Sequence, residues 1–268
     1  MRMYAIGLYF RLIGACIRGQ MQYRVSFLLE TTAQFFATFI DFLTVYFIFN
    51  RIPSLRGWSL GEVALLYGLA ATGFAIEEFL GRGFDVFHHK VVHGDFDRVL
   101  IRPWGTFFQI LADEFPVRRL GRLGQAVLVL AFAIRYVGLR WTWAKALYLP
   151  VALGSGCVFY LAIIIAQATM CFWTVQAVEF ANIFTYGGTE MASYPLEIYA
   201  DWFRKLFIFV IPLAFVSYFP ALYLLDKPDP LGFPIWFAFL TPPVCFAVLG
   251  LAVALWRYGV RHYQSTGS

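Results

Sequence analysis

Between positions 81 and 104 the chain reads Gly81-Arg82-Gly83-Phe84-Asp85-Val86-Phe87-His88-His89-Lys90-Val91-Val92-His93-Gly94-Asp95-Phe96-Asp97-Arg98-Val99-Leu100-Ile101-Arg102-Pro103-Trp104. Four basic residues, three acids and three histidines fall in these 24 positions, in a chain that is 14% charged and 60% hydrophobic overall. Such a stretch could ligate a metal, hold a nucleotide phosphate, or dock on a partner. His89 and His93 stand four apart, which is ligand spacing on a helix, and Asp85 precedes His89 by four. No cysteine and no third helix-borne histidine completes a set, so the expectation is a short amphipathic helix with no metal. A phosphate loop is excluded, because the four lysines are followed by Val, Ala, Leu and Pro and no G-K-[ST] can form. Gly81-Arg82-Gly83 lacks the third glycine of a dinucleotide fingerprint and follows no strand. Neither H-E-x-x-H nor G-x-S-x-G occurs. A membrane enzyme acting on lipid through a His/Asp cluster would therefore lack a complete catalytic set, and no catalytic residue is expected.

Docking has more internal logic. Phe84, Phe87 and Val91 form one apolar stripe of a two-to-three-turn helix, and Gly94 can end it in the left-handed conformation. Asp95, Asp97, Arg98 and Arg102 then display charge before Pro103 redirects the chain. In a merely solvated loop Phe84, Phe87 and Phe96 would be exposed, so they are expected to seat against a soluble partner.

A second kind of chemistry lies inside an apolar run. Asp41 falls within the first expected span, and an acid in hydrocarbon is costly enough to mark function by default. It can receive a cationic group, with Phe and Tyr faces adding cation–π contacts, or it can bond a neighbouring helix or a second copy. Glu179 is a weaker candidate of the same kind.

These residues must be positioned by membrane-spanning helices. The chain has 268 residues and 20% aromatics, with a mean hydropathy of +0.68; soluble domains carry about 25% charged residues. Several runs are long enough to cross a bilayer. The fold class expected is all-α: a single polytopic membrane domain over 1–268 with six transmembrane helices. Residues 1–22, with Met3, Ile6, Phe10, Ile13 and Ile17 on one face, read as an interfacial helix. The spans follow at about Phe27–Phe49, Leu60–Leu80, Leu123–Val137 (its helix starting near Phe107 and kinked at Pro116), Ala146–Phe172, Val175–Ala192 and Phe233–Trp256. Residues 194–204 are amphipathic, and 205–225, broken by Pro212 and Pro220, suit a re-entrant hairpin before the last span, so that 194–225 forms one outer-side unit.

With the N-terminus inside and that hairpin re-entrant, thirteen of the 21 Lys and Arg residues fall on the inner side, which satisfies the positive-inside bias. Both termini are then cytoplasmic, and 82–104 is a cytoplasmic segment. The net charge of +5 reflects lipid-facing Lys and Arg rather than nucleic-acid binding. Cys16, Cys157, Cys171 and Cys245 are scattered in apolar sequence and read as inert small hydrophobes.

The run Gly94-Asp95-Phe96-Asp97-Arg98-Val99-Leu100-Ile101-Arg102-Pro103 resembles a motif of one branch of the ABC-2-type transporter permeases. Tyr194-Pro195-Leu196, Ile211-Pro212-Leu213-Ala214-Phe215 and the terminal Tyr263-Gln264-Ser265-Thr266-Gly267-Ser268 are similar to the same branch, so the likeness covers nearly the whole chain. The resemblance implies a bacterial inner-membrane permease that works with a dimer of ATP-binding subunits and a second permease, identical or related, in the lipid bilayer. It implies no cofactor in this chain, with ATP and Mg held by the partner. Residues 84–93 would be a coupling helix and 94–103 its continuation. Phe84, Phe87, His88, His89, Lys90, Val91, Asp95, Asp97, Arg98 and Arg102 would then face the ATPase, with Glu77 and Glu78 at the inner membrane edge. Substrates vary across the family, and cationic drugs such as viologens are one type associated with this branch. The competing reading is a gradient-driven transporter or channel using Asp41 and Glu179; it would need paired repeats, and no convincing repeat is visible.

Overall fold

The computed structural model describes residues 24–174 and 178–264, with the separate positions 14, 17–19 and 22; the side chains of 178–184 are not among the described features. The interfacial helix expected over 1–22 therefore lies outside the described residues, apart from those few positions, as does Cys16. All named elements among the described residues are helical.

Helix α1 spans Arg24–Arg51 and α2 Leu60–Leu80. Four short helices follow: α3 at Arg82–Asp85, α4 at Phe87–Val92, α5 at Phe96–Leu100 and α6 at Thr106–Leu111. Helix α7 spans Leu120–Val137 behind a 3₁₀ turn at Val117–Arg119, and α8 spans Trp143–Met170. Helix α9 is Val178–Ala192, α10 is Asp201–Lys205 continued by a π turn at Leu206–Val210, and α11 is Tyr218–Leu225. Helix α12 covers Thr241–Arg261 after a 3₁₀ stretch at Ile235–Leu240.

Local chemistry sets these boundaries. Ser59 and Glu62 form a reciprocal capping box at the start of α2, in which the Ser59 N–H donates to Glu62 Oε2 at 2.7 Å and two otherwise orphan donors are satisfied. Thr142 caps α8 by accepting from the Lys145 N–H at 3.3 Å. Gly138 ends α7 at φ 66°, a left-handed conformation that costs glycine little. Pro242 and Pro243 sit in the first turn of α12, where a missing N–H breaks no helical bond.

Five stretches are long and apolar enough to cross a membrane: Arg24–Arg51, Leu60–Leu80, Val117–Val137, Trp143–Met170 and Ile235–Arg261. A bent pair, Asp201–Val210 with Leu213–Leu225 at 73°, has the geometry of a broken span or a re-entrant loop. One expectation needs adjusting. The third span does not extend as one helix back to Phe107, because the chain leaves helix after α6 and resumes only past Pro116, which has no N–H to donate. The expected fifth span is represented among the described residues by α9, Val178–Ala192, which follows directly on positions 175–177 outside the described residues.

Helix α2 is the hub. It is buried along almost its whole length and packs against α7 and α8, while α12 runs along α8. A Cβ at Gly68 would come within 2.8 Å of the Leu130 Cα, so glycine is what lets α2 and α7 approach this closely. Helix α1 packs on α7 and α2 but leaves much of its apolar surface uncovered, including Leu29, Phe36, Ile40 and Phe47.

At the N-terminal end of α2, polar contacts gather the loops. The Lys227 ammonium donates to Glu62 at 3.0 Å and to the Gly57 carbonyl at 2.9 Å, and lies 4.2 Å from the Trp58 ring centre. Nearby, the buried Lys145 Nζ donates to Asp226 at 2.6 Å and to the Leu224 carbonyl at 2.8 Å. The turn after α11 is thereby tied to both the α1–α2 loop and the start of α8.

Candidate functional site

The Gly81–Trp104 segment begins where α2 stops and folds as three short helices rather than one. Gly94 breaks the run at φ 70°. The apolar stripe read from the sequence exists, but it points inward. Phe84, Phe87, Val91 and Phe96 are buried in the protein's own core. The Phe87 ring meets Phe96 at 5.1 Å, Trp256 at 5.0 Å and Phe172 at 5.3 Å between centroids. Phe84 sits 5.1 Å from both Phe107 and Trp256, and Phe96 reaches Tyr263 at 5.0 Å. The expectation that these phenylalanines would be exposed unless a partner covered them is thus corrected: the ends of α8 and α12 already cover them. Each such burial is worth about 1.5–3 kcal/mol, so the aromatic cluster holds the segment onto the helix bundle.

Ion pairs fix the other side. Lys90 Nζ lies 3.0 Å from Asp113; Arg82 pairs with Asp85 and approaches Glu114 at 3.8 Å. A Cβ at Gly83 would collide with the Ile110 carbonyl oxygen, so this glycine allows α3 to lie against α6. His88 is half-buried, and burial together with the adjacent His89 imidazole holds its pKa below the ordinary value of 6.5. The His89 and His93 ring centres are 6.4 Å apart, and His93 Nδ1 is 2.7 Å from the His89 carbonyl, an atom that occupies that nitrogen. Among the described residues no group of three or more His, Cys, Asp or Glu side chains is arranged to hold a metal.

What faces outward is a different set. His89, Val92, His93, Arg98, Leu100 and Arg102 are exposed, and Ile101 is 84% exposed. Asp95 pairs with Arg98 at 3.2 Å, and Asp97 is half-buried. Val92, Leu100 and Ile101 escaped the sequence reading, because periodicity marks apolar positions without saying which of two apolar stripes the bundle will cover.

Glu77 and Glu78, at the end of α2, behave differently from each other. The buried Glu78 carboxylate takes Arg119 at 2.8 Å and Arg122 at 3.0 Å, which clamps α2 to the start of α7. The Arg122 guanidinium also lies over the Phe74 ring, 4.8 Å from its centre. Glu77 is completely buried, and neither of its carboxylate oxygens has a hydrogen-bond partner among the described residues. Both glutamates line a narrow cleft with Phe74, Arg82, Asp85 and Tyr186.

Asp41 lies on the exposed side of α1. It is within electrostatic reach of Arg122 on α7 and of Glu190 on α9. Glu190, also exposed, was not singled out from the sequence; nothing in Gly187-Gly188-Thr189-Glu190 distinguishes it without the tertiary contact. The Glu179 side chain lies outside the described residues. Cys157, Cys171 and Cys245 are buried free thiols.

A family model described as "ABC-2 family transporter protein" matches residues 35–267, which is most of the chain and includes every site residue named above. No curated protein matches the chain, and no solved structure does.

Proposed function

We propose, for a chain that belongs to the ABC-2 family of transporter proteins, that it is the permease half of an ATP-driven exporter. The family consists of membrane transport components that are normally not catalytic themselves and typically work with an ABC ATP-binding subunit. Our reading adds that two such ATPase subunits, carrying the ATP and Mg, bear on the Gly81–Trp104 segment of this chain and of a second permease, and that the pair moves a cationic or amphipathic substrate out across a bacterial inner membrane. Six spans, with α9 among them and Asp201–Leu225 re-entrant, keep both termini on the cytoplasmic side.

The observation that carries this reading is the two-sidedness of the segment. Its inner side is locked by Phe84, Phe87 and Phe96 to Trp256 of α12 and Phe172 past α8, and Gly81 joins it directly to α2. Its outer side offers Arg98, Ile101 and Arg102 to solvent. A load applied to the outer side therefore passes into three membrane helices through close-packed aromatic contacts, which have little give. A loop of solvated charge could not transmit it. Lys90, His88, Val91, Asp95 and Asp97 serve here as supports of the docking face, and His89, Arg98 and Arg102 as its contacts.

Asp41 and Glu190 form the wall of the substrate pathway in this proposal. An unpaired carboxylate facing hydrocarbon at the bilayer centre costs about 2.5–3.5 kcal/mol, so the exposed face of α1 borders either water or the second permease. Family membership does not favour the gradient-driven alternative. The deciding experiment is reconstitution of the chain with a candidate ATPase subunit in vesicles. Substrate movement that requires ATP and disappears in Arg98→Glu supports the proposal; transport by the chain alone, without any ATPase, would sink it.

A further inference from the structure

A groove of about 540 Å³ opens between α6 and the last two turns of α12, within the roughly 300–1,000 Å³ range of ligand sites. Phe107 and Phe108 form one wall; Trp256, Val260, Arg257 and Arg261 form the other. We propose that this groove binds one anionic phospholipid of the cytoplasmic leaflet, with its phosphate on Arg257 and Arg261 and an acyl chain against the aromatic wall. The proposal takes its leaflet from the inner-side assignment made above; the groove chemistry stands apart from it.

The order of residues along α12 is the first argument. Val253, Arg257 and Arg261 also share one face at i, i+4 spacing, and all three line the groove. Reading outward, the surface passes from aliphatic to cationic over about 12 Å at 1.5 Å per residue. That polarity matches a phospholipid standing with its headgroup toward water. Charge is the second argument. The groove has two guanidinium groups and no acid in its lining. A ligand that supplies acceptors and negative charge completes this donor set, and basic pockets between membrane helices on the cytoplasmic side hold anionic headgroups. The third argument is exposure. Phe108 is 64% exposed beside the arginines, an arrangement that suits a lipid tail and suits water poorly. The basic residues Arg2, Arg11 and Arg18 of the N-terminal stretch would repel Arg257 and Arg261, so that stretch is the wrong charge to fill the groove.

The position gives the lipid a consequence. Phe107 and Trp256 line the groove, and both touch Phe84 at 5.1 Å. A bound lipid therefore buttresses the aromatic floor that anchors the Gly81–Trp104 segment.

The test uses the full chain in a mild non-ionic detergent. Phosphatidylglycerol should raise the unfolding midpoint more than phosphatidylcholine with the same acyl chains, and native mass spectrometry should count one more retained anionic lipid per chain than zwitterionic lipid. The double variant Arg257→Gln, Arg261→Gln changes two exposed side chains and should erase both differences while keeping the midpoint measured without lipid. Equal responses to the two lipids in the wild type would overturn the proposal. So would glycerol phosphate reproducing the phosphatidylglycerol shift, which would mark a plain phosphate site, or deletion of residues 1–22 being required before lipid is retained, which would make that stretch the occupant.

Discussion

Phe87 meets Trp256 with ring centroids 5.0 Å apart and planes at 68°, an edge-to-face contact between a residue seven positions past the end of α2 and one near the end of α12. The two lie 169 positions apart in the chain, and their contact turns a charged interruption between two apolar runs into a rigid extension of the last membrane helix. Phe172 and Phe96 close the same cluster.

Phe87→Ala should destabilise the protein by about 3–5 kcal/mol, the usual cost of deleting a buried phenylalanine with incomplete collapse of the cavity. Ile101→Asp, on the exposed side, should change stability by less than about 0.5 kcal/mol yet weaken association with the ATPase subunit. Thermal unfolding and a pull-down of the partner separate the two effects. If Phe87→Ala is as stable as the wild type, the segment is not anchored as described.

Glu78 is the next point of leverage. Its carboxylate faces two guanidinium groups in a site it barely shares with solvent, and removing one partner of a buried ion pair costs about 3–5 kcal/mol because the other charge is stranded. Glu78→Gln should fall near the lower end, since Arg119 and Arg122 retain some solvent contact. A double-mutant cycle with Arg122→Leu measures the coupling, which should exceed about 1 kcal/mol; a coupling indistinguishable from zero would show the clamp to be ornamental.

His88 supplies a pH signature. Its folded pKa is depressed by burial and by His89, so the unfolded chain binds a proton near pH 6.5 while the folded chain resists it. Stability contributed by the neutral imidazole is thus complete above about pH 6.5 and is lost as pH falls below that value, until the folded group also protonates. Between pH 7.5 and 5.5 the unfolding midpoint of the wild type should drop further than that of His88→Asn, which cannot titrate there. Parallel slopes would remove His88 from the account.

Much of the fold was legible in the sequence because hydropathy and breakers act locally. The first span expected at Phe27–Phe49 is Arg24–Arg51, and the second coincides with Leu60–Leu80. Gly94 takes the left-handed conformation its place after the apolar stripe implied. What was hidden depends on partners distant in sequence. The direction of Phe84, Phe87 and Phe96 is decided by Trp256, Phe172 and Tyr263, and the pairing of Glu78 by Arg119 and Arg122. The break between α6 and α7 was half visible in Pro116, but the four non-helical residues before it carry no comparable signal. Buried Lys145 gave no hint of Asp226, 81 positions away.

Asp41 and Glu190 frame the last prediction. They come from helices α1 and α9, both are exposed, and they lie within electrostatic reach of one another. Two like charges held within reach of one another on exposed membrane helices are stable only where water, a counter-charge or a cationic guest attends them. Arg122 attends them in part but is already committed to Glu78, which leaves the pair short of positive charge. A cation entering the pathway would supply it. Asp41→Asn and Glu190→Gln should therefore each raise the KM for a permanently charged organic cation by roughly tenfold, the equivalent of about 1.4 kcal/mol, and leave the basal ATPase rate of the assembled complex unchanged. The charge-retaining Asp41→Glu should recover part of the loss, which a merely structural hydrogen bond of fixed length would not. An unaltered KM in both neutral variants, with transport intact, would assign Asp41 instead to the contact between two permeases, and cross-linking of Asp41→Cys across the pair would then be the result that replaces it.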